Sequence, residues 1–145
     1  MSRKIFVNLP VRELDASKAF FRALGFSFNS QFTDDTAACL VISDEIYAML
    51  LTREKFRQFA PQKVCDSRRS NEVLLCLSCD SRGEVDELAE KALAAGGKNA
   101  REPMDHGFMY ERSIQDLDGH VWEFVWMDAA AIQQEPQAAH TAGVE

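Results

Sequence analysis

Short apolar runs with the two-residue period of a strand alternate along this chain with stretches where apolar residues recur at helical spacing, and the order of the two repeats. Residues 4–9 predict a strand. A helix over 15–24 follows, with Phe20 and Leu24 on one face and Gly25 as its C-terminal stop. Three short strands are expected over 26–32, 36–43 and 46–52, with Thr33-Asp34-Asp35 and Ser43-Asp44-Glu45 supplying the turns. The order then returns. A strand is expected over 72–79 and a helix over 82–95 that begins at the capping box Ser81-Arg82-Gly83-Glu84, followed by strands over 98–101, 108–115 and 120–127.

Two βαβββ modules of this size make one domain, because a four-stranded sheet carrying one helix leaves apolar surface that the other module must cover. The expected fold class is therefore α+β. The expected division is one domain over 3–127, with module one at 3–52, a linker at 53–70, module two at 71–127 and a tail at 128–145. The linker carries Arg53, Lys55, Arg57, Lys63, Arg68 and Arg69. It reads either as a solvated connection with a helical turn or two, or as a cationic lid that attracts anionic ligands. The tail has Ile132 as its one large aliphatic before the final Val144 and cannot build a core, so a short helix to about Gln134 and an extended remainder are expected.

The composition narrows the class of function. A hydrophobic fraction of 46% in 145 residues can supply a core, and a formal net charge of −7 argues against binding a phosphate backbone. No apolar stretch approaches the roughly 18 residues of a membrane span, and the N-terminal residues lack a signal-like segment, so a cytoplasmic protein is expected. The four cysteines, Cys39, Cys65, Cys76 and Cys79, do not suggest a disulfide framework. Cys76 and Cys79 have C-x-x-C spacing, but three residues apart on a strand their thiols face opposite ways, so buried structural thiols are expected.

Glu123 is the residue that most needs explaining. It lies in the run His120-Val-Trp-Glu-Phe-Val-Trp-Met127, sharing a strand face with Val121 and Val125 while Trp122, Phe124 and Trp126 take the other. A buried carboxylate costs several kcal/mol unless it meets a cation, a metal or hydrogen-bond donors. Its partner should reveal the function.

Residues 6–15, from Phe6 to Asp15, with Ala19-Phe-Phe-Arg-Ala-Leu-Gly-Phe26 and the ending Asp116-Leu-Asp-Gly-His-Val-Trp-Glu-Phe124, resemble the vicinal oxygen chelate superfamily. That superfamily includes glyoxalase I, extradiol dioxygenases, fosfomycin-resistance transferases and bleomycin-resistance proteins, and small bacterial glyoxalase-like proteins look most similar. The resemblance implies that each module curls into a half-barrel around a cleft. It also implies four strand positions that supply His or Glu ligands to one divalent ion. Glu123 matches the last of these, and the others fall on Phe6, Ala48 and Leu74. Those three cannot coordinate a hard or borderline cation. A protein without the family's metal centre is therefore expected, the alternative being a metal-dependent lyase or dioxygenase with an atypical site that includes Glu123.

Alternation places Asn8 beside Phe6, and Cys76 and Ser78 beside Leu74, so the expected cleft has apolar walls and a few polar groups, as small-molecule pockets do. Glu123 is the candidate general acid or base. Tyr110 and Arg112 share a strand face that the sequence cannot assign to the cleft, and with His106 they are candidates to stabilise developing charge. A retained structural Glu123, satisfied by Asn8, Arg112 or water, is the other reading. The resemblance admits a binder that sequesters a ligand without metal chemistry, and a homodimer, since relatives commonly cover such half-barrels with a second chain.

Overall fold

The computed structural model describes residues 2–131; residues 129–131 are helical, as expected at the start of the tail, while the continuation of that helix to about Gln134 and the rest of the tail lie outside the described residues. The elements run β1 (Ile5–Val11), α1 (Leu14–Ala23), β2 (Ser27–Asn29), a 3-10 turn (Ser30–Phe32), β3 (Ala37–Val41) and β4 (Ile46–Thr52). Then come α2 (Arg53–Phe59), β5 (Leu74–Ser78), α3 (Arg82–Ala94), β6 (Lys98–Asp105), β7 (Met109–Gln115) and β8 (Val121–Met127). The repeat is plain. Each module forms its own four-stranded mixed sheet, ordered β1-β4-β3-β2 and β5-β8-β7-β6, and the two sheets do not close on each other.

Local sequence explains most boundaries. α3 begins at Ser81 as expected: Ser81 Oγ accepts from the Glu84 amide at 3.1 Å, while the Glu84 carboxylate reaches one residue beyond the N-cap and accepts from the Asp80 amide at 2.7 Å. Gly25 takes φ +102° after α1, where a side chain would be strained. β1 runs two residues beyond its expected end and includes Pro10, which the sheet tolerates because β1 is an edge strand. β2 is shorter than expected because Asn29 accepts the Gln31 amide and turns the chain.

One core serves both modules. It joins Leu9, Val11, Phe20, Phe21, Leu40 and Leu50 of the first to Val85, Ala89, Ile114, Trp122 and Phe124 of the second, and the Phe21 and Trp122 rings meet edge-on at 5.2 Å between centroids. The helix-covered faces of both sheets point into this core. Their opposite faces remain open, with Phe6 at 50% and Leu74 at 60% exposure.

The turn Asp116-Leu117-Asp118-Gly119 fastens the two modules. Asp116 is buried and accepts from the amides of Asp118 and His120 and from Trp122 Nε1 at 2.9 to 3.0 Å, while Asp118 accepts from the Arg12 amide at 3.0 Å. Burial nevertheless pushes the Asp116 carboxyl upward from its ordinary value. His120 Nε2 lies 2.8 Å from the Pro10 carbonyl and must donate to it. The histidine beside the candidate site is thus a clamp between β1 and β8.

Candidate functional site

Alternation along β8 holds as expected. Glu123 faces away from the helix layer and is 8% exposed, while Trp122 and Phe124 enter the core and Trp126 lies under the Arg82 guanidinium. The β5–β8 register sets Cys76 beside Glu123, and the β7–β8 register sets Ser113 on its other side. Glu111, two residues from Ser113, points the same way. One ligand atom each from Cys76, Glu111 and Glu123 fall within 4.8 Å of one another.

The partner of Glu123 is Arg101. Its Nη2 lies 2.8 Å from Glu123 Oε2 and 2.9 Å from Glu111 Oε1, so one guanidinium bridges two carboxylates whose side chains are each only 10% exposed. Nη1 turns to Met104 Sδ at 3.0 Å. The arginine side chain is 38% exposed, which leaves N–H groups available at the open face. The two carboxylates hold its guanidinium above even its ordinary high pKa, Glu111 contributing first.

Cys76 Sγ donates weakly to Glu111 Oε2 at 3.8 Å. Burial, then the negative charges of Glu111 and Glu123, push its thiol up to about 11. It is therefore a neutral thiol at neutral pH, unsuited to redox chemistry and a weak ligand. Cys79 is likewise pushed up, to about 12, by burial first. Ser113 Oγ is buried beside this group and has no hydrogen-bond partner.

The sequence-predicted residues divide. Cys76 and Glu123 come together, with Leu74 and Ser78 flanking Cys76 on the exposed face of β5. Phe6 lies on the open face of the first sheet, stacked on Tyr47 at 4.7 Å between centroids, and Asn8 lines a pocket of about 320 Å³ beside the linker. Tyr110 and Arg112 do not face the carboxylate pair. They lie on the helix side of β7, where Tyr110 donates to Asp86 and Arg112 Nη1 meets Glu90 Oε2 at 2.8 Å and Asp86 Oδ1 at 3.3 Å. His106 stacks on Phe108 in the turn between β6 and β7.

Ala48 requires a correction. It is 1% exposed, packs in the shared core and borders a small apolar cavity of about 170 Å³ between the modules. In the first sheet Asn8 pairs with Met49, as Cys76 pairs with Glu123 in the second. The module-one equivalent of Glu123 is therefore Met49. A displacement of one residue moves a strand position to the other face, and so it was with Ala48.

The family's metal fits these residues poorly. Phe6 and Leu74 offer no donor and Met49 only a thioether, while the local trio has two carboxylates and a neutral thiol, with a guanidinium already seated between the carboxylates. Arg101 and Glu111 escaped the sequence reading. A bulge on each side of Arg101 breaks the alternation that would have assigned its face, and Glu111 was legible as the residue between Tyr110 and Arg112 on the other side of β7.

Comparison with known proteins agrees with this architecture. The family model of the Glyoxalase/Bleomycin resistance protein/Dioxygenase superfamily matches residues 5–124. Comparison with curated protein sequences finds no match. Among solved structures, hypothetical protein SA1046 of S. aureus is 30% identical with a TM-score of 0.73, covering 87% of this chain and 95% of that one. A glyoxalase-related enzyme from Fulvimarina pelagi is 20% identical with a TM-score of 0.73, over 87% of this chain and 88% of its own. The fosfomycin resistance protein FosX from Listeria monocytogenes is 18% identical with a TM-score of 0.62, over 90% and 97%. The last two likenesses concern fold alone.

Proposed function

We propose that this chain, which belongs to the Glyoxalase/Bleomycin resistance protein/Dioxygenase superfamily, binds a small molecule at the open face of its second sheet without the four-ligand metal centre of the family's metal-dependent members. The observation that carries the reading is the bridge from Arg101 to Glu111 and Glu123. A fixed cation compensates the buried carboxylates, and its exposed edge offers N–H donors to a ligand oxygen. Leu74 supplies apolar contact, and Ser78 and the Cys76 thiol supply polar contact on the same face. Ser113 Oγ, buried without a partner, is a further group that a ligand or water could satisfy.

Glu123 is the candidate acid or base if the bound molecule reacts. In that case Glu123→Gln abolishes turnover while affinity stays within a few-fold; a pure binder shows no turnover in either form. Four free cysteines among the described residues accord with a reducing cytoplasm, and the charge of −7 accords with a partner other than nucleic acid. No helix among the described residues is long and apolar enough to cross a membrane.

A second reading rests on the 4.8 Å clustering of Cys76, Glu111 and Glu123, which would form an atypical divalent site if Arg101 swung aside. Elemental analysis of untagged protein purified without chelator separates the two. The metal-free reading expects no stoichiometric divalent metal. A stoichiometric metal that disappears in Glu123→Ala would overturn it in favour of the second.

A further inference from the structure

We propose that the basic linker and the pocket beside it form a second binding site, for a small amphiphile with an anionic oxygen head group and an apolar tail. Two concavities meet here and share Ala60, Gln62, Lys63 and Val64. The first, about 330 Å³, is lined by Arg53, Arg57 and Lys63 and by no carboxylate. The second, about 320 Å³, has walls from Val7, Leu9, Phe56, Val64 and Val73, with Glu72 and Asn8 among its polar groups. None of the residues of the Arg101 bridge lines either one.

A solvated basic linker would scatter its charges or pair them. Here three cations converge on one concavity in a chain of net charge −7, and none of the three has an ion-pair partner among the described residues. Their mutual repulsion is relieved by an anion, and the field they focus draws one in. The apolar concavity is contiguous with this rim and falls at the lower end of the small-molecule range of roughly 300–1,000 Å³. A head on the rim and a tail in the pocket use both. Carboxylates and phosphate monoesters share the necessary head-group chemistry.

Calorimetric titration tests this with octanoate, octyl phosphate, acetate, inorganic phosphate and octyl glucoside. Octanoate or octyl phosphate should bind at least tenfold more tightly than its head group alone and than octyl glucoside, and the tighter of the two identifies the head. The triple variant Arg53→Gln, Arg57→Gln, Lys63→Gln should lose at least tenfold, and so should Val64→Asp, with circular dichroism unchanged in both. Equal affinity of the triple variant and the parent chain would overturn the site. So would head groups that bind as tightly as the amphiphiles, or an octyl glucoside that matches them.

Discussion

At the scale of single residues, Arg101 decides the character of the site. Two carboxylates on one sheet face repel each other in a partly desolvated setting, and a guanidinium in hydrogen-bond contact with both turns that repulsion into a three-member network. Arg101→Met removes the charge while keeping much of the stem. We expect it to lower stability by about 1–3 kcal/mol in urea unfolding, discounted from a fully buried pair because the arginine is partly exposed. Adding Glu111→Gln should recover most of the loss, since it removes one of the two opposed charges; a double variant no more stable than Arg101→Met would refute the network. Cys76 reports the same charges. With its thiol at about 11, the reactive thiolate at pH 8 is on the order of one part in a thousand, so carboxamidomethylation should be slow and should accelerate as pH rises toward that value. Glu111→Gln removes a charge that raises the thiol and should speed the reaction at fixed pH, as followed by mass spectrometry. The sequence exposed the need for a partner at Glu123 but not its identity, because a charge-pair partner 22 residues away is set by strand register and bulges.

At the scale of elements, the turn between β7 and β8 aims Glu123. It combines a buried Asp116 that gathers three donors with a glycine at φ +86°. A Cβ at Gly119 would lie 2.6 Å from the Ser67 carbonyl oxygen and 2.7 Å from the Arg68 Cα, both backbone atoms that cannot swing aside. Gly119→Ala should therefore cost about 2–4 kcal/mol, combining backbone strain with displacement of the linker. Gly107 has a positive φ but open space around it, so Gly107→Ala should carry the conformational part alone and cost about 1 kcal/mol. Equal losses in the two variants by thermal unfolding would exclude the linker contact. This turn is visible in the sequence as a D-x-D-G run, and so are the helix start at Ser81 and the order of elements along the chain. Placement of single strand positions was less secure. The resemblance puts Ala48 at an open-face position, yet the register of β4 gives that place to Met49, and alternation along β7 turns Tyr110 and Arg112 toward α3, where they pair with Asp86 and Glu90.

At the scale of the whole molecule, the repeat fixes what the chain can cover by itself. Both sheets turn their helix-side faces into one shared core, and part of each opposite face keeps apolar side chains in solvent. Phe6 and Leu74 lie there, 50% and 60% exposed, on β1 and β5, the edge strands of their sheets. Two large apolar side chains exposed on the edge strands of the two open faces make a surface that a partner can cover. A second copy of the chain is the occupant expected for such a surface, because a twofold interface lets one patch serve as its own complement. Light scattering after size exclusion should then give twice the chain mass at micromolar concentration. Phe6→Lys with Leu74→Lys should shift the species to the monomer while leaving the far-ultraviolet spectrum intact, since neither side chain belongs to the core. A monomeric parent chain across that concentration range would refute the dimer and leave the apolar face to the ligand alone. In that event the same two lysines should weaken ligand binding without any change in mass.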